Sequence, residues 1–156
     1  MAKIRDRDFE DTGVELEITL SPSEFYDKPA EWVSARLVFR FGENYPDISI
    51  KRDCQEIQDI EHLIDQIRRL TRDEISRVDF SPLEPDYHLV IKHCRRGKYE
   101  KEDNYSLYCL IDSAGSRGGA YHGVGPALEM FVCREDLNQF TDELENELKK
   151  IASPSP

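Results

Sequence analysis

Val14-Glu15-Leu16-Glu17-Ile18-Thr19-Leu20 alternates apolar and polar residues without a break. A period of two sends every second side chain to one face, which predicts a half-buried β-strand. Ser21-Pro22-Ser23 supplies its end. The same alternation returns in Val33, Ala35, Leu37, Phe39 and Phe41, with Ser34, Arg36 and Arg40 on the opposite face. Gly42-Glu43-Asn44-Tyr45-Pro46 is turn chemistry, and Ile48 and Ile50 open a short third strand. The period then changes. Ile57, Ile60, Leu63, Ile64, Ile67 and Leu70 fall on one helical stripe, led by Glu56, Asp59 and Glu61 and closed by Arg68, Arg69 and Arg72. That charge order complements the helix dipole, and Asp53 with Glu56 reads as a capping box.

Beyond this helix, strand patterning resumes at Val78 and Phe80, breaks at Ser81-Pro82-Leu83-Glu84-Pro85, and returns as Tyr87, Leu89, Ile91 and His93. A turn from Arg95-Arg96-Gly97-Lys98 leads to a strand over Tyr105–Ile111, and Leu128 to Val132 is the last strand. Leu137, Phe140, Leu144, Leu148 and Ile151 mark a second amphipathic helix. The first dozen residues, rich in charge, are read as either a frayed end or an added edge strand. The expected fold is therefore α+β: a mainly antiparallel sheet in the order βββ-α-ββββ-α, with two helices packed on one face. Residues 1–152 are expected to form one domain and 153–156 a disordered tail.

Composition narrows the function. Thirty-two acidic against 21 basic residues leave a net charge of −11. Nucleic-acid phosphates and anionic membrane surfaces repel such a chain, whereas a basic protein is attracted. The acids crowd the ends of the sequence, with nine acidic and four basic residues in 1–31, and six and three in 134–151. No run of about 18 apolar residues spans a bilayer, and the charged N-terminus lacks the apolar stretch of a signal peptide, so a cytoplasmic location is expected. Cys54, Cys94, Cys109 and Cys133 are far apart and read as free thiols.

Tests for chemistry yield little. His88 and His93 lie five apart on one strand and face opposite sides, and no metal-ligand spacing joins them to His62 or His122. No catalytic residue, cofactor site or metal site is assigned. Gly115 to Pro126 holds five glycines, but it matches neither phosphate-binding glycine pattern and leads into a strand rather than a helix. It reads as a connector, or as a contact loop that presents Arg117, Tyr121 and His122, and less readily as a nucleotide site. Glu15 and Glu17, on the face away from the core, are expected to be exposed and to meet a basic partner, with Trp32 as a further apolar anchor.

The order of elements resembles the WapI-like immunity proteins. The likeness lies in the Val14-to-Leu20 strand, Trp32 opening the second strand, the Ile57-to-Leu70 helix, and Leu83-Glu84-Pro85 before the Tyr87-to-Ile91 strand. Glu135-Asp136-Leu137 with Phe140 and Leu144 in the last helix completes it. It covers about 15–151 and rests on core pattern and turns rather than on a site. The glycine-rich stretch departs from the shorter connection expected there, as does Arg134 from a capping Ser or Asp. The resemblance implies a bacterial, non-catalytic protein that neutralises a cognate toxin domain by binding it. Two other readings stay open: an accessory or regulatory protein-binding domain, and a small-molecule-binding protein using the 115–126 loop.

Overall fold

The computed structural model describes residues 1–23, 31–43, 45–82, 87–94, 103–112 and 125–152, excepting the side chains of 52–54 and 152. The elements are β1 (Ala2–Arg5), α1 (Phe9–Thr12), β2 (Val14–Pro22), β3 (Trp32–Phe41), β4 (Ile48–Glu56), α2 (Ile57–Thr71), β5 (Arg77–Phe80), β6 (Tyr87–His93), β7 (Asn104–Ile111), β8 (Ala127–Cys133) and α3 (Arg134–Ala152). The α+β class and the antiparallel pairing are as the sequence predicts. The strands divide into two four-stranded sheets, β1-β2-β3-β4 and β5-β6-β7-β8. Of the two readings of the first dozen residues, the edge strand is the one observed, followed by a single helical turn.

The inner faces follow the period-two pattern. Leu16, Ile18 and Leu20 of β2 and Val33, Ala35, Leu37 and Phe39 of β3 are buried, as are Leu89 and Ile91 of β6 and Leu107 and Cys109 of β7. Ile60, Leu63 and Ile67 of α2 join Phe140, Leu144 and Leu148 of α3 in the same apolar cluster. The two helices pack on each other; α3 lies along β1, β2 and β8, and α2 meets β4 and β5. Both sheets thus turn their apolar faces toward one helix pair.

The free edges of β1 and β8 come together. The Arg7 amide donates to the Phe131 carbonyl at 2.7 Å, and the Phe131 amide donates to an Asp6 carboxylate oxygen at 2.9 Å. Glu143 of α3 accepts the Lys3 amide at 2.8 Å, so a side chain completes the outer edge of β1. Such covering removes a template for edge-to-edge aggregation.

Three local expectations are corrected. β2 runs on to Pro22, which pairs with Val33. β1 reaches only to Ile18, so the missing Pro22 N–H faces no partner strand. β4 continues to Glu56 and takes up Asp53, so no capping box forms. The first α2 amide is instead bound by the Glu31 carbonyl at 3.0 Å. At α3, Asp136 reaches back to accept from the Cys133 amide at 3.1 Å, which is half of a capping box and explains why Arg134 suffices as the first helical residue.

Candidate functional site

The register of the first sheet decides the fate of the two carboxylates expected at an interface. Lys3 and Arg5 of β1 stand opposite Glu17 and Glu15 of β2, and Arg40 of β3 stands opposite Glu15 from the other side. Glu15 accepts from Arg5 Nε at 2.8 Å and from Arg40 Nη1 at 2.7 Å, with Lys3 Nζ at 3.2 Å. Glu17 meets Arg40 Nη1 at 2.9 Å and Lys3 Nζ at 3.3 Å. The expected exposure of this pair is overturned: Glu15 is 3% and Glu17 8% exposed. Facing away from the apolar core does not mean facing water, because three long cationic side chains lie over both carboxylates.

Burial by itself would raise the Glu15 pKa. Hydrogen bonds from Arg5 and Lys3 and the nearby charges of Lys3 and Arg40 outweigh it and hold the carboxyl below its usual range. Glu17 is lowered in the same way, against burial, by Arg40 and Lys3. Arg40 also reaches Asp47 at 3.4 Å. Among the described residues, the carboxylates of Glu15, Glu17 and Asp47 are matched in number by the cations Lys3, Arg5 and Arg40.

Next to it lies a recess that sequence reasoning took only as a turn. Its walls are α1 and the β3–β4 connection: Phe9, Glu10, Asp11, Thr12 and Gly13 on one side, Arg40, Phe41, Gly42, Glu43, Tyr45 and Asp47 on the other, around about 730 Å3. Two glycines hold the walls together. Gly13, with φ +65°, ends α1, and Gly42, with φ +79°, ends β3. The Gly42 amide donates to the Gly13 carbonyl at 3.1 Å. A Cβ on Gly13 would stand 2.5 Å from Gly42 Cα, and one on Gly42 would stand 2.8 Å from the Thr12 carbonyl oxygen. Both the positive φ and the approach require glycine.

Among the described residues, the rim carries Glu10, Asp11, Glu43 and Asp47 against one cation, Arg40. Among the described residues Glu10, Asp11 and Glu43 have no cationic partner. Tyr45 is 67% exposed, and among the described residues only it and Met1 are large apolar side chains so open to water. The signal available in the sequence was an aromatic residue inside an acidic Gly-to-Pro turn.

The other expected contact residues are not gathered here. Trp32 is half-buried at the start of β3, where it pairs with Glu56. Arg117, Tyr121 and His122, with most of the glycine-rich stretch, lie outside the described residues, as does Leu83-Glu84-Pro85. The histidines of β6 face opposite ways as predicted: His88 meets Asp79 at 2.6 Å, and His93 meets Asp73 at 3.2 Å. Among the described residues, no three His, Cys, Asp or Glu side chains are grouped so as to hold a metal ion. None of the described helices is long and apolar enough to cross a membrane. Cys94, Cys109 and Cys133 are free thiols, and the side chain of Cys54 lies outside the described set.

The described residues thus form an α+β fold whose distinctive surface feature is an acidic recess with an open aromatic ring. The chain matches the WapI-like immunity protein family over residues 7–152 and belongs to it. No curated protein sequence matches the chain. One solved chain, from a structure described as "Structure of a guideRNA-binding protein complex bound to a gRNA", aligns with 96% of this chain and 99% of its own length. Its sequence identity is 6% and its TM-score 0.43, a likeness from which nothing is drawn.

Proposed function

We propose that this protein is a non-catalytic, cytoplasmic immunity protein that binds a cognate bacterial toxin domain in fixed stoichiometry and blocks it. The observation that carries the reading is the family match along nearly the whole chain. The net charge of −11 supports a basic partner and disfavours nucleic acid or an anionic membrane as the ligand. A toxin that grips an anionic substrate presents a basic surface, and an acidic protein covers it. No cofactor takes part. Contacts from Trp32 and from Arg117, Tyr121 and His122 of the glycine-rich loop belong to this proposal. Glu15 and Glu17 enter it only as supports of the sheet face beside the recess.

The test is a pull-down from the source cell that identifies the bound chain, followed by co-expression of this protein with the toxin domain of that chain. Survival of cells that otherwise die, together with a stable complex of the two purified chains, is the expected result. Association should slow steeply as salt rises, because screening shortens the range of attraction to about 8 Å near physiological strength, while dissociation changes less. Undiminished toxicity with no complex would overturn the reading. Turnover of a small molecule, or a thermal shift with a nucleotide, would favour the small-molecule alternative.

A further inference from the structure

We propose that the recess between α1 and the β3–β4 turn is the surface on which the toxin domain seats a basic segment, with Tyr45 as its central anchor; this rests on the function proposed above. Three features bear on it together. Tyr45 leaves most of its ring in water, where an apolar ring with a polar tip gains by being covered, and tyrosine is among the residues that dominate protein interfaces. Glu10, Asp11 and Glu43 line the same recess with carboxylates that no cation among the described residues neutralises, so a lysine or arginine arriving from outside meets charge not already compensated. The close approach of Gly13 and Gly42 fixes the two walls before any partner arrives, which lowers the ordering cost of binding.

A competing surface is the groove between α2 and α3, lined by Ile57, Ile64 and Leu148 and bordered by Glu61, Asp65, Arg68, Glu145 and Lys149, with a volume of about 310 Å3. Its cations are already engaged: Arg68 binds Asp142 at 2.9 Å and Glu145 at 3.3 Å, and Lys149 binds Glu145 at 3.1 Å. That rim carries both signs, and its apolar floor is mostly buried, with Ile64 5% and Leu148 7% exposed. The recess is both more acidic and more open to a side chain from outside, so it is the better match for a basic partner.

The experiment measures binding of the toxin domain, inactivated by substitution, to the wild-type chain and three variants. Tyr45→Ala should weaken the complex by at least about tenfold, mainly through faster dissociation. Glu10→Lys with Glu43→Lys should slow association and flatten its salt dependence. Glu61→Lys with Asp65→Lys, on the helix groove, should stay within about twofold of wild type. The substituted side chains are exposed, and a melting curve for each variant checks that the fold is kept. Wild-type binding with silent recess variants, or loss confined to the groove variant, overturns this surface and leaves the function standing. Absence of wild-type binding overturns the function itself, and the surface with it.

Discussion

Replacing Glu15 probes whether its charge belongs to the fold or to a partner. Its carboxylate accepts from Arg5 and Arg40 and lies beside Lys3, while it is itself only 3% exposed. Hydrogen bonds to a charged group contribute about 1.5–3 kcal/mol each. The donors here are partly open to water, with side-chain exposures of 31%, 57% and 33%, so they regain hydration when the carboxylate is lost. A discounted value of about 2 kcal/mol for Glu15→Gln follows, and about 4 kcal/mol for Glu15→Lys, which sets a fourth cation among three. At about 2–4 °C per kcal/mol for a chain of this size, melting should fall by roughly 4–8 °C and 8–16 °C. The effect depends on pH. Glu15 has a folded pKa below its unfolded value of about 4.5, so its contribution is complete above that value and is lost as pH falls through the lower, folded one. The gap between wild type and Glu15→Gln should therefore narrow as pH is taken below about 4. Thermal melts followed by circular dichroism across pH 3–7 decide the matter. A Glu15→Lys protein that melts with the wild type, or a gap that ignores pH, would refute the network as a structural element.

Other expectations test the glycines, the core and the thiols. Gly13→Ala must hold a left-handed backbone and push its Cβ toward Gly42, and should cost about 2 kcal/mol or more, read as a lower urea midpoint with an unchanged slope. Phe140→Ala removes a fully buried ring from the helix pair, and should cost about 3–5 kcal/mol by the same measurement. Cys109 is fully buried and its thiol pKa is pushed up by that burial, so it should stay unlabelled by a thiol reagent until the chain unfolds. Burial, with the bond to Asp136, pushes the Cys133 thiol up to about 11; at pH 8 only about one molecule in a thousand carries the reactive thiolate there, and labelling should be correspondingly slow.

The elements were legible because their signals are local. Alternation in Val14–Leu20 and Val33–Phe41 requires only neighbours two apart, and the stripe from Ile57 to Leu70 only neighbours three and four apart. Those periods named the strands, the two long helices and the buried residues Ile60, Leu63, Ile67, Phe140, Leu144 and Leu148, and with them the α+β class. What the periods do not carry is which strand lies beside which. The short connections of the chain suggested one sheet, yet the break at α2 starts a second, and β1 meets β8 across nearly the whole sequence. Glu15 and Glu17 showed their face but not their cover, because Lys3, Arg5 and Arg40 reach them only through the pairing of three strands. The recess has the same origin. Gly13 and Gly42 look like ordinary turn residues until the β2–β3 pairing sets their backbones against each other, and only then do the acids of α1 and the open ring of Tyr45 share one surface. Periodicity is a property of one segment, whereas charge cover, edge closure and recesses arise from contacts between segments.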